Sequence, residues 1–207
     1  MRRPPVWYSV QNIGPYAWVP TVVVGLLLPA GLLLARASAN PQVASLYIRF
    51  SATLLAPAFA VWWPPFVFKE RIEGDGRELL YFLKRKGQGL TALALALSYW
   101  VLLVPFVAVA LGVPDFSVPL VAMLLARCLF LTAFAFCAAF VLHSSALALI
   151  LALMLNMVAM MPLEGLADSL APTVNLGEAP VAALLLYAVL ATALLWLGEA
   201  RSRGFAG

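Results

Sequence analysis

Six stretches of this chain are apolar over the length that a helix needs to cross a lipid bilayer. A spanning helix takes about 20 mostly apolar residues, because a hydrocarbon layer of about 30 Å is crossed at about 1.5 Å per residue. The stretches cover residues 16–35, 46–68, 90–112, 117–142, 146–162 and 181–198. Hydrophobic residues make up 64% of the 207 and charged residues 11%, whereas a soluble domain carries about 25% charged residues to face water. The sequence therefore predicts an all-α integral membrane protein, with six transmembrane helices in a single domain over residues 1–207.

The start of the chain also has features that are typical of a secretory signal. Arg2 and Arg3 precede an apolar centre at residues 19–34, and Ala37-Ser38-Ala39 matches a small-residue cleavage pattern. The apolar run is at the long end for a signal, so we expect this segment to be retained as the first span.

The positions of lysine and arginine predict the orientation of the six spans. Of the 13 lysines and arginines, ten share one side of the membrane if the spans alternate. These ten are Arg2, Arg3, Lys69, Arg71, Arg77, Lys84, Arg85, Lys86, Arg201 and Arg203. The positive-inside rule then places both termini in the cytoplasm. The predicted localisation is the plasma (inner) membrane, as a multi-pass protein. The net charge of +4 is explained by this asymmetry, and we expect no nucleic-acid partner.

The connection between the second and third spans, residues 69–87, is the largest predicted cytoplasmic segment. Asp75 and Glu78 have the spacing of a capping box that opens a helix. An apolar face and then a basic end follow, formed by Leu79, Leu80, Phe82 and Leu83 and by Lys84, Arg85 and Lys86. This pattern predicts a short amphipathic helix at the membrane surface, and one interpretation is an interfacial helix that holds phospholipid headgroups.

A second interpretation comes from a resemblance. The series Lys69-Glu70-Arg71-x-x-Gly74-x-x-x-Glu78-Leu79-Leu80 resembles the segment after the second span of type 2 ABC export permeases. Six spans with cytoplasmic termini agree with that family in outline. Members usually have a proline and a small residue soon after Glu-Leu-Leu, whereas this chain has Phe82-Leu83-Lys84-Arg85.

The resemblance implies that the segment is a coupling helix docked on a separate cytoplasmic ATPase. It implies coupling roles for seven residues: Glu70, Arg71, Gly74, Glu78, Leu79, Leu80 and Phe82. Two ATPase copies would bind ATP and Mg²⁺ and drive two permeases, either two copies of this chain or this chain with a related one. The chain has no phosphate-binding loop of its own. The expected function is export of an amphipathic or hydrophobic substrate by alternating access, and the alternative is a membrane scaffold or assembly factor whose interfacial helix binds lipid.

Arg127 and Asn156 are the candidate residues of a substrate path. Arg127 lies about ten residues into a predicted span, near the membrane midplane, where a charge is costly and often functional. An anionic substrate group would suit it, and the other interpretation is an arginine bound to carbonyl groups inside the bundle. Asn156 is expected to form an interhelical hydrogen bond.

Few residues could support catalysis or bind a metal. His143 is the sole histidine and lies beside Ser144 and Ser145 at a predicted turn, which does not give the buried Ser–His pair of a membrane serine protease. Cys128 and Cys137 lie in apolar runs, and with one histidine they do not form a zinc site. We therefore expect no catalytic, cofactor-binding or metal-binding residues and no enzymatic activity in this chain.

Overall fold

The computed structural model describes residues 14–38, 41–74, 87–113, 116–158 and 181–204, and all regular secondary structure in these ranges is helical. A 3₁₀ turn at Gly14–Ala17 leads into the first of six helices. The helices are α1 (Trp18–Ala37), α2 (Gln42–Ile72), α3 (Gln88–Ala110), α4 (Val118–Leu142), α5 (Ser145–Val158) and α6 (Val181–Gly204). The protein is thus all-α over the described residues, and helices satisfy most backbone polar groups internally, as a bilayer requires.

Five of the six helices, all except α5, are long and apolar enough to cross a membrane. The exception, α5, has 14 residues and spans about 21 Å, less than the hydrocarbon thickness. The fifth span had been predicted to continue to Pro162, and residues 159–162 lie outside the described ranges. The structure therefore supports a multi-pass membrane protein with five candidate spans among the described residues.

The end of α2 differs from the prediction. The second span was expected to end at residue 68, but the helical segment Trp63–Ile72 continues one turn further. The Glu73 N–H donates to the Lys69 carbonyl at 2.8 Å, and the Gly74 N–H donates to the Glu70 carbonyl at 3.1 Å. Lys69 and Arg71 in this last turn favour the extension, since cations stabilise the negative end of a helix dipole.

Both α1 and α2 contain a wide, π-helical turn, at Val23–Leu27 and Ser51–Leu55. Prolines within these helices remove further N–H donors. Neighbouring helices supply replacements for two of the affected carbonyls. The Tyr16 carbonyl, whose usual donor would be residue 20, accepts from Trp62 Nε1 at 3.0 Å, and the Ala60 carbonyl, opposite Pro64, accepts from Thr132 Oγ1 at 3.2 Å.

Helix α4 is central, since it contacts α2, α3, α5 and α6. Small buried residues such as Ala133, Ala135 and Ala139 line its surface and allow the close backbone approach that is common between membrane helices. Aromatic packing joins α4 to α2, because the Phe68 ring lies 5.1 Å from that of Phe136 and 5.6 Å from that of Phe140. This central helix carries Arg127 and ends at the turn that leads into α5.

Candidate functional site

Arg127 and Asn156, the two candidates for a substrate path, are in direct contact. Arg127 Nη2 donates to the Asn156 side-chain oxygen Oδ1 at 3.0 Å and to the Asn156 carbonyl at 3.2 Å. Asn156 is only 1% exposed, and its Nδ2 donates to the Leu54 carbonyl at 3.0 Å. The predicted interhelical hydrogen bond of Asn156 is therefore present, and this asparagine ties α5 to both α4 and α2.

The Leu54 carbonyl lies at a break in the regular hydrogen bonding of α2. It belongs to the wide turn Ser51–Leu55, in which the N–H of Ala56 reaches back five residues to the Ser51 carbonyl. Pro57 follows and has no N–H to donate. Asn156 thus binds α2 at the place where its own backbone ladder is interrupted.

The positive charge of Arg127 has neutral hydrogen-bond partners in the part of the chain that the structure describes. The acidic residues in that part are Glu70, Glu73 and Glu199. They lie beside the ends of α2 and α6, whereas Arg127 is 15 residues before the end of α4 at Leu142, a rise of about 22 Å. Arg127 is a half-buried cation that is held in place by an amide and a carbonyl.

A second polar cluster lies at one end of the bundle. We call this the polar end and define it by residues 69–74, 87–89, 143–145 and 199–203. Glu73 Oε1 accepts from the Ser145 backbone N–H at 2.6 Å and from Ser145 Oγ at 2.8 Å. The hydrogen bond from the Ser145 N–H is the main reason that the pKa of Glu73 lies below its usual value. Glu73, directly after α2, therefore caps the first turn of α5.

Glu199 does the same for α3. Its two carboxylate oxygens accept from the Gly87 N–H at 3.0 Å and the Gly89 N–H at 2.7 Å. Gly87 has a φ of 91°, a left-handed conformation that suits glycine. Arg203 pairs with the same carboxylate at 3.2 Å. The end of α6 is thereby fastened to the start of α3.

These contacts bracket the segment that was predicted to form a coupling helix. Of its predicted residues, Glu78, Leu79, Leu80 and Phe82 lie outside the described ranges. Glu70 and Arg71 lie in the last turn of α2 and not in a connecting segment, and Gly74 follows directly. Arg71 Nη1 also donates to Gln88 Oε1, so the chain leaves α2 and enters α3 at neighbouring points of the polar end.

Sequence reasoning missed the two carboxylate caps. Glu73 and Glu199 each act on a helix that is distant in sequence, 72 residues and 110 or more residues away. One signal was available, since Gly87 before α3 offers no side chain to cap it. A helix start without a capping side chain predicts a partner from elsewhere in the fold, but the sequence does not identify that partner.

Comparison of the chain with family models, with curated proteins and with solved structures found no match. Class membership therefore rests on the structure itself. Five apolar helices of spanning length, of which α2, α3 and α6 pack on the fourth, α4, define an all-α, multi-pass membrane protein.

Proposed function

We propose that this chain is the membrane-spanning permease subunit of an ATP-driven exporter of the type 2 ABC class. The observation that carries the proposal is the way the two ends of segment 75–86 are held. On one side Glu73 is bonded to the first turn of α5, and on the other side Gly87 and Gly89 are bonded to Glu199 of α6. A displacement of this segment by a partner would act on α5 and α6 at once.

In this proposal the segment docks on a cytoplasmic ATPase, and two ATPase copies drive two permeases. Leu79, Leu80 and Phe82 form the apolar anchor in the ATPase groove. Glu70 is exposed and Arg71 is half-buried at the end of α2. Both contribute to the polar rim of the contact with the ATPase. The cargo is amphipathic or hydrophobic, because the spans offer few polar side chains to line a hydrated path.

The proposal is tested by purifying the chain from its native membrane without assuming a partner. We expect an ATPase subunit in stoichiometric amount. A Leu79→Asp, Leu80→Asp double variant should lose that subunit while remaining folded, since truncating a buried anchor typically costs about 2 kcal/mol or more. The matched control replaces Lys84, Arg85 and Lys86 by glutamine and should keep the complex. Absence of any ATPase would favour the scaffold interpretation, and an ATPase retained by the double variant would exclude this segment as the coupling element.

The proposal also requires that the polar end faces the cytoplasm. Cysteine labelling with an impermeant reagent tests this in intact cells, with Cys128 and Cys137 first replaced by alanine. Within the polar end, Gln88 and Ser202 are only 2% and 1% exposed, so the label is placed at exposed positions instead. The exposed positions Glu70 and Arg201 should resist the reagent when changed to cysteine, whereas the exposed Ser38 at the opposite end of α1 should react. Labelling of cysteines at positions 70 and 201 would show that the polar end faces outward and that the predicted orientation is wrong.

A further inference from the structure

We infer that Arg127, oriented by Asn156, binds the anionic headgroup of an amphipathic molecule within the membrane-spanning bundle. The inference deepens the proposed function by naming the substrate class, and its transport aspect rests on that function. The ligand chemistry is an oxyanion, a phosphate or a carboxylate, attached to an apolar tail. Arg127 has no acidic partner among the described residues, is held by two hydrogen bonds to Asn156 and lies in an apolar helix.

Arg127 carries its charge within a helix of membrane-spanning length. Arg127 lies nine residues after the start of α4, about 13 Å along the helix, and the guanidinium stays protonated at all ordinary pH. Its partners in the described ranges are the neutral Oδ1 and carbonyl of Asn156. A half-buried cation with no acidic partner among the described residues is costly in a bilayer, so an anion that reaches it supplies electrostatic stabilisation.

Both bonds from Arg127 to Asn156 use the same guanidinium nitrogen, Nη2. The donors on Nη1 and Nε have no hydrogen-bond acceptor among the residues that the structure describes. Nη1 and Nε can each donate a charge-assisted hydrogen bond to an oxygen of a phosphate or carboxylate, and such bonds are stronger than neutral ones. Asn156 is itself fixed by the Leu54 carbonyl, so the arginine is pre-oriented for such a ligand.

The ring of Tyr187 on α6 packs on the ring of Phe130, three residues after Arg127 on α4, with the ring centroids 5.4 Å apart. Met123 and Phe130 are partly exposed and lie four residues before and three residues after Arg127 on α4, so they share its helix face. A ligand whose head binds Arg127 therefore has apolar surface available for its tail, which fits an amphipathic molecule better than a free inorganic anion.

Binding is measured in nanodiscs of phosphatidylcholine as the rise of the thermal unfolding midpoint, because a ligand that binds only the folded state stabilises it in proportion to its occupancy. The probe is dodecyl phosphate, and dodecyl maltoside is the uncharged control. We expect stabilisation by the phosphate alone. Arg127→Gln should raise the half-saturating mole fraction about 10- to 100-fold, the range expected for a lost hydrogen bond to a charged group. The control variant Arg36→Gln changes an exposed arginine near the C-terminal end of α1. It should leave the half-saturating mole fraction unchanged.

A second variant keeps the test decisive if Arg127→Gln does not fold. Met123→Glu places a carboxylate one turn before Arg127, where an (i, i+4) ion pair can form, without removing any hydrogen bond of the network. It should abolish the preference for dodecyl phosphate, whereas the matched variant Met123→Gln should retain it. A preference that survives in Met123→Glu overturns the proposal.

Two further arms identify the source of the anion. If phosphatidylglycerol in the nanodisc competes with dodecyl phosphate, the occupant is a lipid of the membrane itself, and if it does not, the site selects another amphipathic anion. The proposal is overturned if the wild type shows no preference for the phosphate. In that case Glu164, Asp168 and Glu178 are changed to amides. A preference for dodecyl phosphate that appears in this variant would show that a carboxylate of the chain itself pairs with Arg127. None of these measurements needs the ATPase, so failure here is distinct from failure of the proposed permease role.

Discussion

Replacing Glu199 by glutamine should weaken the polar end specifically at the start of α3. Two carboxylate oxygens now accept from Gly87 and Gly89, and glutamine offers one carbonyl oxygen, so one N–H loses its acceptor. The carboxylate is only 15% exposed, which limits compensation by water. A hydrogen bond to a charged group contributes about 1.5–3 kcal/mol, and we expect a loss of about 2–3 kcal/mol. For a chain of this length that lowers the unfolding midpoint by about 4–12 °C.

The assay combines thermal unfolding in detergent with amide hydrogen exchange of the peptide that contains residues 87–95. The exchange of this peptide should accelerate more than that of α4, because the cap acts locally. Arg203→Gln is the control, since Arg203 is 57% exposed and an exposed ion pair contributes less than about 1 kcal/mol. Equal losses in the two variants would mean that the ion pair and not the cap stabilises this end. Unchanged exchange in Glu199→Gln would refute the capping argument.

Two other contacts give direct predictions. Glu73 has a pKa below its usual value of 4.5 because it accepts from Ser145. A carboxyl group whose pKa is lowered on folding stabilises the fold at pH values above its unfolded-state pKa, and this stabilisation is lost as the pH falls through the lowered folded-state pKa. Wild-type thermal stability should therefore fall on acidification below about 4.5 more steeply than that of Glu73→Gln. Thr132→Val should cost about 1–3 kcal/mol in thermal unfolding, because the Ala60 carbonyl opposite Pro64 loses its donor, and Thr132→Ser should preserve the stability.

The apolar pattern predicted some helices well and others less well, for identifiable reasons. The third and fourth spans were predicted at residues 90–112 and 117–142, and the structure has Gln88–Ala110 and Val118–Leu142, because long uninterrupted apolar runs leave little freedom in placing a helix. The end of α2 was predicted too early, since hydropathy stops at the first charge, whereas helical hydrogen bonding continues through Lys69, Glu70 and Arg71.

The polar contacts were less predictable than the spans. Arg127 and Asn156 could each be selected from sequence, because a polar residue in an apolar helix is conspicuous. Their mutual contact required the packing of α5 on α4, and the role of the Leu54 carbonyl required the wide turn of α2. Glu73 and Glu199 looked like ordinary interfacial charges in the sequence, and only the fold shows which helix each one caps.

Helix α5 connects the two polar clusters. At its start Ser145 is bonded to Glu73, the residue directly after α2, and near its end Asn156 is bonded to the Leu54 carbonyl within α2. The two attachment points are 11 residues apart, about 16 Å along the axis. A short helix that is tied twice to one neighbour moves with that neighbour, so a displacement at the end of α2 would be carried to Asn156. Arg127 belongs to α4. When Asn156 moves, either the two hydrogen bonds from Arg127 to Asn156 lengthen or α4 moves together with α5. In the proposed exporter, a force on segment 75–86 therefore reaches the Asn156 acceptors that orient Arg127, and the affinity for an anionic headgroup would depend on the position of the end of α2.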